Sequence, residues 1–168
     1  MGLSRDVTEL RCMREVHRNL YVGDGADCTG VAKDWSVVHA CKYPCHNRMC
    51  GNPPQGHDDY LTRIDGDHLY LNMVDMDQKQ KHEFMEPMLS ASLDFIQSSI
   101  DSNSVLIHCN QGVSRSPTIG MIYLAKRAGE ISNKGYRPAT EEFSEKYPQY
   151  NPGRGIHLYL EDYWDAIE

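Results

Sequence analysis

Four short apolar runs, each cut off by glycine, aspartate or another turn residue, punctuate the first two thirds of the chain. The first lies around Leu20–Val22 in REVHRNLYVGD and is closed by Gly23-Asp24-Gly25. WSVVHA (35–40), HLYLNMV (68–74) and SVLIH (104–108) follow, the third ending on Asp75-Met76-Asp77. Runs of this length and bounding predict buried strands. Between the last two, Met85, Leu89, Leu93, Ile96 and Ile100 recur at helical spacing, which predicts an amphipathic helix with Pro87 tolerated only near its first turn. SPTIGMIYLAKRAGE (116–130) is apolar nearly all round, the mark of a buried helix, and Pro117 suits its first turn. ATEEFSEKY and GIHLYLEDYWDAIE predict two more helices, the second with Ile156, Leu160, Tyr163, Trp164 and Ile167 on one face. Strands alternating with helices indicate an α/β fold with a mainly parallel central sheet flanked by helices. Residues 41–66 are rich in Pro, Gly, Asn and Asp and predict a long loop with a short hairpin, a divergent insertion in one domain spanning 1–168.

Composition narrows the function classes. The chain has 168 residues, 24% of them charged, with a formal net charge of -7. That acidic balance disfavours a nucleic-acid surface, yet leaves room for a local positive pocket. No apolar stretch reaches bilayer length. The opening MGLSRDVTEL lacks the apolar core of a signal peptide, and Asp6 stands where myristoylation needs Ser or Thr. The expectation is a cytoplasmic protein with no membrane partner. The six cysteines, Cys12, Cys28, Cys41, Cys45, Cys50 and Cys109, are then expected to include several free thiols.

HCNQGVSRSP (108–117) carries the chemistry. A cysteine followed by five residues and an arginine means little alone, since about 0.4 such pairs arise by chance in this composition. Cys12 and Arg18 form such a pair, with neither a strand before it nor a glycine inside it. Around Cys109 the features coincide: His108 before it, Gly112 at the turn, Ser116 after Arg115, a strand leading in and a helix leading out. A thiol with an ordinary pKa near 8.5 needs help to act as a nucleophile at neutral pH. The N-terminus of a helix gives that help and binds an anion. Five residues let the backbone amides of Asn110, Gln111, Gly112, Val113 and Ser114 curl inward. Arg115 closes the ring with a planar fork that matches two phosphate oxygens. Ser116 is placed to hydrogen-bond the sulfur, and His108 to brace the loop.

HCNQGVSRS resembles the signature loop of the cysteine-dependent protein tyrosine phosphatases, in particular the dual-specificity phosphatases. NLYVGD is similar to that family's opening strand, SRSPTIGMIYLAKRAG to its helix after the loop, and FSEKYPQYNPGRGIHLYL to its closing segment. Residues 41–66 depart from the family. The resemblance implies phosphomonoester hydrolysis through a phosphocysteine intermediate on Cys109, without a metal or other cofactor. It also implies an aspartate general acid on the loop after a strand: Asp77 is favoured by its spacing to Cys109, Asp75 by its emergence directly from the strand end, with Asp75 slightly preferred.

The uncharged Asn110, Gln111 and Val113 favour a single phosphate on a protein side chain over a phosphoinositide. The implied partner is a phosphorylated protein, dephosphorylated on tyrosine and on serine or threonine. Two alternatives stay open: a non-catalytic phosphoprotein-binding module, and a thiol-based sulfur transferase or arsenate reductase, neither of which needs an aspartate acid. Cys41, Cys45, His46 and Cys50 suggest zinc, but their irregular spacing favours incidental cysteines in a variable loop. One of these thiols could alternatively pair with Cys109 under oxidation. Lys42, Tyr43 and Arg48 are candidates for the pocket mouth, and Asn151 for a polar neighbour of the site.

Overall fold

The computed structural model describes residues 13–168, so Cys12 and the N-terminal motif readings lie outside the described residues. Among those residues, six strands form one sheet: β1 (Arg14–His17), β2 (Leu20–Gly23), β3 (Ser36–Ala40), β4 (Thr62–Asp65), β5 (His68–Leu71) and β6 (Val105–His108). Their order is β1-β2-β6-β3-β5-β4. The α/β class is as expected, but the sheet is mixed rather than mainly parallel. β2, β6, β3 and β5 run parallel, while β1 and β4 pair antiparallel at the two edges. The reason is connection length. Arg18-Asn19 joins β1 to β2 and Gly66-Asp67 joins β4 to β5, with Asn19 and Gly66 at φ 62° and 59°. A two-residue connection can produce only a hairpin.

Among the described residues six α-helices accompany the sheet: α1 (Gly25–Gly30), α2 (Asn47–Cys50), α3 (His82–Ser99), α4 (Arg115–Tyr123), α5 (Tyr136–Lys146) and α6 (Arg154–Tyr163). α3 covers β4 and β5, α4 covers β2 and β6, and the two helices touch, so both lie on one face. Their buried side chains, Met85, Leu89, Leu93 and Ile96 from α3 and Ile119 and Ile122 from α4, meet Val22, Val38, Ala40, Leu69 and Ile107 in the main core. α4 is buried all round, as its sequence requires, and continues through a π-helical turn at Leu124–Ala128 to Gly129. α3 begins three residues before Met85, so Pro87 sits in its second turn and leaves the Glu83 carbonyl without its helical donor.

The other face is thinner. Side chains alternate along a strand, so Val37 and His39 of β3, and Leu106 and His108 of β6, point away from the main core yet are buried. α1 lies against β6 here. Residues 41–66 are more ordered than a loop: they hold a π-helical turn at Lys42–His46, α2 and strand β4. No helix of the described residues is long and apolar enough to cross a membrane.

Candidate active site

The parallel strands deliver four chain ends to one edge: Gly23 at the end of β2, Cys109 after β6, Cys41 after β3, and Met73 to Asp75 beyond β5. Ligands of open α/β sheets bind at the carboxyl ends of the strands. Cys109 is buried there, and its backbone N–H donates to the Gly23 carbonyl at 3.4 Å. The Gly112 N–H donates to the Cys109 sulfur at 3.3 Å, and Ser116 Oγ lies 3.2 Å from the same sulfur. The Ser116 hydroxyl also donates to the Gly23 carbonyl at 3.0 Å. Gly112 has φ +71°, and a Cβ there would stand 3.0 Å from Gly23 O. A glycine is needed on both counts.

Arg115 opens α4. One terminal nitrogen donates to the Met73 carbonyl at 3.0 Å and the other to Asn110 Oδ1 at 2.9 Å. Its Nε is buried and has no partner. A buried guanidinium donor left unpaired is costly unless an acceptor arrives. Arg115 shares a cleft of about 280 Å³ with Cys109, Gln111, Val113 and Asp75. A larger cleft of about 460 Å³, lined by His82, Glu86 and Arg127, lies elsewhere and contains none of these residues.

The structure therefore brings together Cys109, the residues 110–114, Arg115, Ser116 and Asp75. Asp77 does not line the cleft; its carbonyl accepts from Arg154 at 3.1 Å. Asn151 acts through its backbone, donating to the Val113 carbonyl at 2.7 Å. Tyr43 is 55% exposed, and its carbonyl accepts from Asn110 Nδ2 at 3.1 Å, which ties the 41–66 segment to the loop. Lys42 lies over the Tyr43 ring at 5.2 Å, whereas Arg48 is exposed on α2.

Several positioning residues carry no motif of their own. Tyr147 donates its hydroxyl to the Gly112 carbonyl at 2.6 Å, and burial pushes its pKa up to about 12. Ser114 Oγ accepts from the Gly153 N–H at 2.8 Å. Gly153 abuts the Asp75 carboxylate so closely that a Cβ would collide with it. Gly155 receives Gln80 N–H at its carbonyl and gives its own N–H to Met76 O, at 3.2 and 2.9 Å. The start of α6 thus clamps the loop that carries Asp75. Only the Pro-Gly-Arg-Gly stretch at 152–155 hints at this in the sequence.

The four residues weighed for zinc do not converge. Cys41 gives its S–H to the Tyr43 carbonyl at 2.8 Å, and His46 Nε2 is 2.8 Å from the Asp59 carbonyl. Cys45 instead approaches Cys28, His39 and His108 on the thin face of the sheet. Burial, then the neighbouring His108 and His68, hold His39 down near a pKa of about 3, so it is neutral.

With this geometry established, comparison with known proteins is informative. A family model described as "Dual specificity phosphatase, catalytic domain" matches residues 48–153. Dual specificity protein phosphatase 16 of Homo sapiens is 39% identical over 66 residues, covering 39% of this chain and 10% of that protein. Dual specificity protein phosphatase 1 of Arabidopsis thaliana is 27% identical over 150 residues, covering 88% of this chain and 66% of its own length. The chain thus spans about a tenth of the human relative. Among solved structures, the human tyrosine phosphatase-like serine/threonine/tyrosine-interacting protein superposes with TM-score 0.62 at 20% identity, covering 92% of this chain and 96% of that one.

Proposed function

The chain belongs to the dual specificity phosphatase family, and from that premise we propose that it hydrolyses phosphotyrosine and phosphoserine or phosphothreonine in phosphorylated proteins of the cytoplasm, through a phosphocysteine on Cys109. The observation that carries the reading is the cleft itself, which holds a thiol, an arginine whose Nε is unpaired, and an aspartate. The Cys109 thiolate attacks phosphorus, and the bond to the ester oxygen breaks. Asp75 gives that leaving oxygen its proton. Arg115 and the inward amides of 110–114 hold the three equatorial oxygens as charge builds. In the second step a water attacks the phosphocysteine, Asp75 now takes its proton, and the thiolate departs. Ser116 has one hydroxyl proton and two neighbours, Gly23 O and the sulfur. Its hydroxyl turns from the carbonyl to the sulfur as the thiolate is released, which makes it a better leaving group.

The test is release of phosphate from an aryl phosphate and from phosphotyrosyl and phosphoseryl peptides, from about pH 5 to pH 8. Wild type releases phosphate from each; Cys109→Ser loses nearly all of that release while retaining phosphopeptide binding. A wild-type protein that binds phosphopeptide without turnover is instead a binding module. Loss of phosphate release in Asp75→Asn or Asp77→Asn excludes a sulfur transferase or arsenate reductase, which need no aspartate acid.

A further inference from the structure

On the thin face of the sheet, directly before the catalytic loop, Cys28, His39, Cys45 and His108 aim four ligand atoms at one point, all within 4.8 Å of one another. The residues come from four separate elements: α1, β3, the π-helical turn after β3, and β6. His39 and His108 are direct partners in the parallel β3–β6 register and both are more than nine-tenths buried. We propose that these four side chains form a tetrahedral Cys2His2 zinc site that fastens α1 and the 41–50 segment to the two central strands beneath the Cys109 loop.

The distances fit the ion. Zinc holds sulfur at about 2.3 Å and nitrogen at about 2.0 Å, which makes the sulfur–nitrogen edges of a tetrahedron about 3.5 Å long. Cys28 Sγ stands 3.6 Å from His39 Nδ1, and Cys45 Sγ 3.8 Å from His108 Nε2. The two nitrogens, His39 Nδ1 and His108 Nε2, are 2.7 Å apart. Zinc would part them by roughly 0.6 Å, a small adjustment for two imidazoles.

The surroundings point the same way. A metal-bound histidine usually donates its second ring N–H to an acceptor, which fixes the tautomer. His108 Nδ1 lies 3.3 Å from the Cys109 carbonyl, and His39 Nε2 lies 2.9 Å from His68 Nδ1. In the tautomers that send both of those N–H groups outward, the two inward nitrogens present their lone pairs to the same point, which is the arrangement a bound cation takes up. Tyr70 stacks on the His39 ring, centroids 4.4 Å apart, and holds its plane. Binding a divalent zinc ion releases the two thiol protons, so two thiolates and two neutral imidazoles give a site with no net charge. A neutral site is suited to partial burial, and a mixed sulfur–nitrogen set selects zinc over magnesium or calcium. No carboxylate joins the group among the described residues.

The site would also shape the active-site wall. Gly25 N–H donates to the Asn110 carbonyl at 3.2 Å, and Asn110 Nδ2 reaches Tyr43 O. Both segments tied by the metal therefore touch the catalytic loop.

The experiment is metal analysis of the full chain, grown with zinc, purified under reducing conditions and desalted. About one zinc per chain is expected, replaceable by Co2+ with the visible absorption of a tetrahedral ion and thiolate charge transfer. Cys28→Ser and Cys45→Ser should each lose at least about five-sixths of the bound zinc, while Cys41→Ser, Cys50→Ser and Cys109→Ser keep it. X-ray absorption of the wild-type zinc protein should give two sulfur and two nitrogen neighbours, a readout that does not depend on any variant folding. A metal-free wild type that gives no tetrahedral spectrum with one equivalent of Co2+ overturns the proposal. So does zinc that survives Cys28→Ser but leaves with Cys41→Ser, or a Cys28–Cys45 disulfide that persists in reductant. Metal content is read without reference to phosphate release, so it stands or falls separately from the phosphatase reading.

Discussion

The two sides of the catalytic loop are built by different means. Toward α6, the loop and the Asp75 segment are held by backbone groups: Asn151 N–H on Val113 O, Gly153 N–H on Ser114 Oγ, Gly155 N–H on Met76 O. Toward the 41–66 segment the tie is a side chain, Asn110 Nδ2 on Tyr43 O, and beneath it the histidines and cysteines of the thin face gather from distant parts of the chain. The first arrangement is specified mainly by glycine and peptide geometry, with Ser114 Oγ as a side-chain acceptor in it. The second depends on the identity of single side chains, because an imidazole or thiol has no substitute with the same lone pair.

Substitutions sharpen this contrast. The largest effect is expected from Cys109→Ser, which should lower phosphate release by about a thousandfold or more, since the hydroxyl is a far weaker nucleophile at neutral pH; single-turnover assays with an aryl phosphate check it. Asp75→Asn should lower kcat by about a hundredfold, with Asp77→Asn close to wild type. Gly153→Ala tests the glycine side directly. Its methyl group displaces the Asp75 carboxylate, so kcat should fall about tenfold with KM little changed, as steady-state kinetics would report.

On the other side, withdrawing zinc with a chelator should lower the thermal midpoint by about 10 °C. In hydrogen exchange, the amides of α1 and 41–50 should open before those of α4. Tyr147→Phe is the smallest change, costing about 1 kcal/mol for the hydrogen bond to Gly112 O. The sign of its pH dependence follows from the raised pKa. Because folding lifts Tyr147 from 10 to about 12, its contribution is complete below pH 10 and is lost as pH rises toward about 12. Alkaline unfolding curves of Tyr147→Phe should lack that part of the loss.

The same contrast explains what was legible in the sequence. Cys109, Gly112, Arg115 and Ser116 fall within eight consecutive positions, so local spacing encodes their geometry. The strands at 35–40, 68–74 and 104–108 were readable as short apolar runs closed by turn residues, and α3 to α6 from their apolar positions, because burial imposes both patterns, whereas the short α1 and α2 left no such signal. β1 escaped notice: it is four residues long and half exposed. The antiparallel edges were hidden in the shortness of Arg18-Asn19 and Gly66-Asp67, which apolar patterning does not record. The metal ligands were least visible. Cys28, His39, Cys45 and His108 come together only through strand order and register, whereas the sequence-adjacent Cys41 and His46 side chains engage the Tyr43 and Asp59 carbonyls. Asp75 and Asp77 differ by only two residues, and their placement is decided by which one Gly153 faces.

The clamp on the Asp75 loop has a kinetic meaning. Gly155, Arg154 and the Gln80 side chain, which reaches Val74 O at 3.0 Å, pin that segment along its length. In the mechanism proposed above, an acid held this way need not swing in over a bound substrate. Encounter, rather than a slow closing motion, then governs how fast a phosphorylated side chain is captured, and capture should slow in proportion to solvent viscosity.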